Sequence, residues 1–211
     1  MSSIEVRLLE KPSDTELDDA SQVLAKAFEK DVFVASCIGG DQSLNIAFQR
    51  ATIAAAAVAG KVYVASYEDI KVAGVAAWFG PGRGLLDSPD QGEAGYNALL
   101  ASFPPELMKW WMEYFLPKYN AQTTSALGEG VKLGAWHLQM FGVLPECQGK
   151  GVGSSLMTVM ESKAFAEGKT LCLETDSEHN VKMYEHWGYA LKGKDDYESS
   201  TGGFTLYILE K

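Results

Sequence analysis

The chain has 211 residues, 46% of them hydrophobic, enough to build one sizeable core without disulfide or metal staples. Eighteen basic residues stand against 28 acidic ones, a net charge of −10, which excludes a general nucleic-acid binder because phosphate neutralisation needs clustered Lys and Arg. The three cysteines, Cys37, Cys147 and Cys172, form no CxxC pair and are too scattered for a disulfide framework, so a zinc ribbon and a thioredoxin-type centre are excluded as well. The acidity suits a cationic small substrate such as an amine; equally, it serves solubility alone.

Residues 1–11 carry charges among their apolar positions and lack the basic start and apolar run of a signal peptide. The most apolar stretch, residues 51–65, is interrupted by Gly60-Lys61 and is too short to cross a bilayer as a helix. The expectation is a soluble cytoplasmic protein with no membrane partner, either a monomer or a homodimer.

In chain order, residues 4–9 alternate apolar and polar and predict a first strand. Pro12-Ser13-Asp14 offers caps for a helix through Phe28, with Leu17, Ala20, Val23, Leu24, Ala27 and Phe28 on one stripe. An alanine-rich second helix is expected over residues 42–59. Residues 62–66 and 72–78 are β-branched or aromatic runs around a short polar turn, which reads as a hairpin that ends at the glycine-rich run 80–84. The pattern then changes over residues 85–130, a helical and loop insertion. Within it, residues 95–102 and 105–119 read as helices and 122–130 as a loop. The second helix is apolar almost all round, through Leu107, Met108, Trp110, Trp111, Tyr114, Phe115 and Tyr119. Either it walls an acceptor pocket or it is a plain core or dimer helix. From residue 131 the grammar is strand (135–144), helix (151–167), strand (170–175), helix (180–187) and strand (204–209). That alternation favours an α/β or mixed sheet within a single domain over residues 1–211.

The chemistry-bearing segment is the strand ending Phe141-Gly142-Val143-Leu144-Pro145, followed by Gln148-Gly149-Lys150-Gly151-Val152-Gly153-Ser154 and a helix. Glycines here remove side chains and bare successive N–H groups at a helix start, an anion site suited to a pyrophosphate, to which Lys150 adds charge. The spacing is neither G-x-G-x-x-G nor a P-loop. Further on comes Asn180-Val181-Lys182-Met183-Tyr184-Glu185-His186-Trp187-Gly188-Tyr189.

Together these segments resemble the GCN5-related N-acetyltransferase (GNAT) superfamily, with its Q/R-x-x-G-x-G/A loop after a V-x-P turn and its N-x-x-x-Y-x-x-x-G-F/Y helix. Over the last 75 or so residues the closer resemblance is to puromycin N-acetyltransferase-like members, through the loop and through Leu173-Glu174-Thr175. The resemblance implies the GNAT fold, a mixed α/β (α+β) sheet splayed into a V between central strands with helices on both faces. It also implies acetyl-CoA as co-substrate, no metal, and direct attack of an acceptor amine on the thioester in a ternary complex. Residues 131–211 would form the acetyl-CoA-binding core. Phe141, Gly142, Val143, Gln148, Gly149, Lys150, Gly151, Val152, Gly153, Ser154, Asn180 and Tyr184 would line the cofactor.

By the same resemblance Tyr184 is the acid that protonates the leaving sulfur, although a tyrosine at that position of an amphipathic helix also reads as core. His137 and Glu174 stand as alternative general bases, His137 because it titrates near working pH and Glu174 because it closes the Leu-Glu-Thr strand. His179 and His186 read as surface residues, Cys172 as core and Cys147 as a bystander. A small-molecule amine is the expected acceptor; a protein or polyamine acceptor and a non-catalytic CoA-binding sensor are the alternatives.

Overall fold

In the computed structural model, which describes residues 3–211, a short strand β1 (Val6–Leu8) leads into helix α1 (Asp14–Ala27). Met1 and Ser2, which begin the segment read for a leader, lie outside the described residues. Ser13 starts α1 with a reciprocal cap: its hydroxyl accepts from the Glu16 amide, and the Glu16 carboxylate accepts from the Ser13 N–H. Two donors that the helix cannot satisfy internally are thereby paired. Helix α2 (Val32–Cys37), unanticipated from the sequence, opens at Asp31, whose carboxylate accepts from the Val34 amide at 2.7 Å. A 3-10 turn (Gln42–Leu44) then feeds α3 (Asn45–Ala59), in which Ala51, Ala54, Ala55 and Ala56 are all buried and let the helix approach its neighbours closely. β2 (Lys61–Tyr67) and β3 (Ile70–Phe79) form the expected antiparallel hairpin.

The helical layer of the insertion runs past its expected end at residue 130: α4 (Pro89–Gln91), a π turn (Gly92–Tyr96), α5 (Asn97–Ala101), α6 (Pro105–Lys109), a second π turn (Trp110–Phe115), α7 (Leu116–Leu127) and α8 (Val131–Gly134), which is its last element. The loop expected from residue 122 is corrected here, because α7 continues to Leu127. The polar residues that suggested a loop turn inward: Gln122 Nε2 donates to the Leu206 carbonyl at 2.8 Å, and its Oε1 accepts from Tyr197 Oη at 2.6 Å. Tertiary hydrogen bonds thus override a weak local propensity.

The C-terminal half supplies β4 (Trp136–Val143), α9 (Val152–Glu167), β5 (Leu171–Thr175), α10 (Glu178–His186), β6 (Ala190–Tyr197) and β7 (Phe204–Glu210). α10 begins two residues ahead of the expected start at residue 180, and Ser177 is its N-cap. β6 was unanticipated: as an edge strand it exposes most of its side chains and lacks the apolar alternation that marks a strand. The seven strands pair in the order β1-β2-β3-β4-β5-β7-β6, antiparallel throughout except between β4 and β5.

Helices cover both faces. On one, α1 presses so closely on Gly142 that an added Cβ would lie 2.9 Å from Ala27 and Leu24. On the other, α9 brings Val152 to within 2.9 Å of where a Cβ on Gly74 would stand. Leu24, Ile53, Trp78, Leu156 and Leu209 are fully buried between these layers. A second, smaller core joins the insertion to β6 and β7. There Phe115 stacks between Trp110 (5.1 Å) and Tyr119 (5.6 Å) and meets Phe33 and Tyr197. Trp110 Nε1 donates to the Glu198 carbonyl and Trp111 Nε1 to the Cys37 carbonyl. The aromatic helix is therefore a core element; its indole N–H groups are spent on the protein's own backbone.

Candidate active site

The two central strands separate where the chemistry is expected. β4 and β5 pair in parallel only at Trp136–Leu171, His137–Cys172 and Leu138–Leu173. On the other side of β4, one step along β3 from Ala77 to Trp78 spans Met140 to Leu138, so Gln139 is the extra residue of a β-bulge. Beyond it, Met140 to Val143 keep their pairing with β3 and have none with β5. That open edge leaves backbone donors and acceptors facing a cleft, available to a ligand that lies along the strand.

At the end of β4 the chain turns through Pro145 into the glycine loop. Gly149 (φ 70°) and Gly151 (φ 91°) both lie in the left-handed region, which a side-chain-bearing residue enters only with strain. Gly151 is the N-cap of α9 and offers no side-chain cap, unlike Ser13, Asp31 and Ser177 on α1, α2 and α10. The first amide of this turn to bond back is Ser155, to the Gly151 carbonyl at 3.0 Å, which leaves those of Val152, Gly153 and Ser154 to an outside acceptor. A 16-residue helix thus ends in uncapped donors beside Lys150, and this fits the pyrophosphate of a CoA-type molecule. Gly153 serves a different purpose: a Cβ there would sit 3.0 Å from the Phe141 ring, so its absence lets α9 close on β4. Gln148 Nε2 donates to the Val143 carbonyl at 3.1 Å, which pins the loop to the strand end. Ser154 Oγ is turned back to the Gly151 carbonyl.

His137 and Glu174, alternative bases in the sequence, are one unit in the structure. His137 Nε2 lies 2.6 Å from Glu174 Oε2, and Glu174 Oε1 accepts from Tyr119 Oη (2.8 Å) and Lys132 Nζ (3.1 Å). His137 is 4% exposed and the Glu174 side chain 12%. Burial alone would push the Glu174 carboxyl up, but Lys132 and His137 hold it at about 2, so it is a carboxylate at any working pH. Burial, and then the Lys132 cation, lower His137 below the usual histidine range against the upward pull of Glu174. A neutral imidazole beside a carboxylate donates its Nε2 proton to it; Nδ1 then carries the lone pair and has no hydrogen-bond partner among the described residues.

Tyr184 lies on α10, 5% exposed, with its ring edge-on to Trp187 (5.7 Å) and Tyr189 (5.6 Å). Its hydroxyl bonds to no described residue, and burial raises it above the usual phenol range, so it keeps its proton. Phe141 meets Trp187 at 6.3 Å, which links β4 to the same aromatic group. Asn180 Nδ2 donates to Thr175 Oγ1 at 3.3 Å across the β5–α10 turn. Lys150 Nζ stands 5.7 Å over the Tyr67 ring, at the hairpin beside the loop.

Sequence reasoning missed Lys132 and Tyr119 around Glu174, and it missed a second pair. Asp176, just past β5, accepts from the Phe33 amide at 3.2 Å, so it caps α2 together with Asp31. Burial and then the Asp176 charge push the Asp31 carboxyl up to about 7, and burial raises Asp176 also. No local motif marks a contact between residues so far apart in the chain. The only local signal was Asp31 set before the apolar Val32-Phe33-Val34; Asp176 precedes the polar Ser177-Glu178-His179 and carries none.

Comparisons with known proteins agree with this geometry. A curated relative, an uncharacterised N-acetyltransferase of Schizosaccharomyces pombe, is 31% identical over 117 residues, which cover 56% of this chain and 47% of the relative. The chain thus spans about half the length of that relative. Among solved structures, a Drosophila melanogaster polyamine N-acetyltransferase that forms N-acetylagmatine superposes with a TM-score of 0.64 at 14% identity, covering 99% of both chains. A Corynebacterium glutamicum protein described as histone acetyltransferase HPA2 and related acetyltransferase gives 0.62 at 21% identity, covering 98% of this chain and 96% of the other. These likenesses establish the fold. The sequence profile of the acetyltransferase (GNAT) family matches residues 13–189, most of the chain and every segment described above from α1 to α10, and the chain belongs to that family.

Proposed function

We propose that the protein transfers an acetyl group from acetyl-CoA to the primary amine of a small molecule, and that residues 131–211 hold the cofactor. The observation that carries this reading is the buried His137–Glu174 pair at the root of the splay, with the uncapped, glycine-framed start of α9 at its far end. Acetyl-CoA, when bound, supplies the acetyl group as an activated thioester. The free amides of Val152, Gly153 and Ser154, with Lys150, would hold its pyrophosphate, and the open edge of β4 from Phe141 to Val143 would hold its pantetheine arm. His137 serves as the base: its Nδ1 accepts the acceptor's ammonium proton, directly or through one water, while Glu174 fixes the ring. Glu174 is unsuited to be the base itself, since a carboxylate held at about 2 has little affinity for a proton. Tyr184 serves as the acid: burial keeps its phenol protonated, so the proton is still on the oxygen when the thiolate leaves.

The likeness to puromycin N-acetyltransferase-like members, through Leu173-Glu174-Thr175, supports a small amine as acceptor. The net charge of −10 and the polyamine substrate of the Drosophila neighbour make diamines and polyamines the first acceptors to try. Thiol release from acetyl-CoA across a panel of arylalkylamines, diamines, polyamines, aminonucleosides and a lysine peptide tests the reading. One small-amine class is expected to accelerate release, with kcat/KM rising as His137 loses its proton at a pH below the ordinary histidine value of 6.5. Acceleration only by the peptide would move the acceptor to proteins. Tight CoA binding without acceleration by any amine would leave a non-catalytic CoA binder.

A further inference from the structure

Glu174 is held from the helical layer as well as from the sheet. Lys132, on α8 at the close of the insertion, places Nζ 3.1 Å from Glu174 Oε1 and 4.2 Å from the centre of the Tyr119 ring. Tyr119, on α7, donates to the same oxygen at 2.8 Å. The other carboxylate oxygen is left to His137 alone. One oxygen is thus saturated by the insertion and the other is aimed at the imidazole. A carboxylate so divided cannot rotate without breaking the Lys132 and Tyr119 hydrogen bonds, and taking the histidine's proton on its other oxygen would weaken both.

We propose that Lys132, braced by Tyr119, is a positioning residue for the acetyl transfer. It holds Glu174 so that the carboxylate fixes His137 with its proton on Nε2 and its lone pair on Nδ1. This rests on the reading of His137 as the base. The helical insertion thereby acts on the chemistry through Glu174, without touching the reacting atoms. The titratable groups around the pair are Glu174 and Cys172 from β5, Tyr119 from α7, Lys132 from α8, and Tyr197 from β6, which feels the Glu174 charge. Among these only Lys132 places a cation against the imidazole, and that cation opposes a second positive charge there.

The test is the pH dependence of kcat/KM with the best acceptor of the panel. Lys132→Met keeps the aliphatic stem and removes the charge; its rising limb is expected to move up by about one pH unit, since a lost neighbouring cation favours the charged imidazole. Lys132→Arg should return the limb to its original position, and Tyr119→Phe should shift it in the same direction as Lys132→Met by less. A purely structural role would lower the rate without moving the limb. Nitrogen-15 spectra of the resting protein, which has three histidines, give a second readout independent of turnover and of the variants' folding. A neutral His137 protonated on Nε2 is expected, and an Nδ1-protonated ring would overturn the proposal. If His137→Ala leaves the limb in place, the base assignment itself fails. If His137→Ala abolishes the limb while Lys132→Met leaves it unmoved, only the Lys132 proposal falls.

Discussion

Replacing Asp31 by Asn is expected to stabilise the protein at pH 8 and to leave it unchanged in acid. Asp31 and Asp176 converge on the first turn of α2, where they accept from the Val34 and Phe33 amides. Burial and mutual repulsion raise the Asp31 carboxyl from 3.8 to about 7. The folded chain therefore keeps a proton that the unfolded chain releases, and stability falls as pH climbs from about 4 to about 7, then levels off. A rise of roughly three pKa units at ~1.4 kcal/mol each sets a ceiling of about 4 kcal/mol. Both carboxylates are partly exposed, so solvent screening leaves about 1–2 kcal/mol of that penalty. Asn keeps Oδ1 to accept from the Val34 amide and caps a helix as well as Asp does, while the charge is gone. Urea unfolding followed by tryptophan fluorescence should show Asp31→Asn ahead of the parent by that margin at pH 8. The gap should narrow below pH 7 and vanish near pH 4. A variant less stable than the parent at pH 8, or a difference that stays flat with pH, would refute the idea that the two carboxylates repel.

Two further outcomes follow from the cleft. Tyr184→Phe removes the hydroxyl proposed to protonate sulfur; kcat at pH 7 should drop by about 100-fold or more, with affinity for CoA nearly unchanged by calorimetry. An equal loss in both would assign Tyr184 to packing. Gly151→Val forces a β-branched side chain to φ 91° at the start of α9, within 3.5 Å of Ile4, and disturbs the turn by about 1–2 kcal/mol. Since ~1.4 kcal/mol is tenfold, KM for acetyl-CoA should rise about tenfold while KM for the amine stays put; the reverse pattern would place the cofactor elsewhere.

The elements that stood out in the sequence are those whose local chemistry suffices to define them. Ser13 and Glu16 cap α1 within one turn, the hairpin strands are β-branched, and the glycine loop announces the start of α9. What was hidden depended on distant partners. α2 needs Asp176 as well as Asp31, the end of α7 needs Leu206 and Tyr197 to satisfy Gln122, and β6 (Ala190–Tyr197) is a charged edge strand that exists because β7 lies beside it. For the candidate site, sequence proposed His137 and Glu174 as rivals, since spacing along two strands cannot tell whether their side chains meet. Parallel pairing of His137 with Cys172 sets Glu174 two residues further along β5, and the two side chains join. Lys132 and Tyr119 carried no motif and became visible only by their contact with Glu174.

The bulge at Gln139 works as a parity switch along β4. Counting by twos, His137 and Phe141 should project from the same face of the sheet. The single extra residue reverses the alternation, so Trp136 reaches the end of α9 at Glu167, His137 turns to the opposite side, and Phe141 is back against α9 at Gly153. One strand thereby addresses the insertion with its first half and the glycine loop with its second. Shortening β4 by that residue would make its pairing with β3 regular and exchange inward for outward on one side of the bulge, which puts either His137 or Phe141 on the wrong face of the sheet.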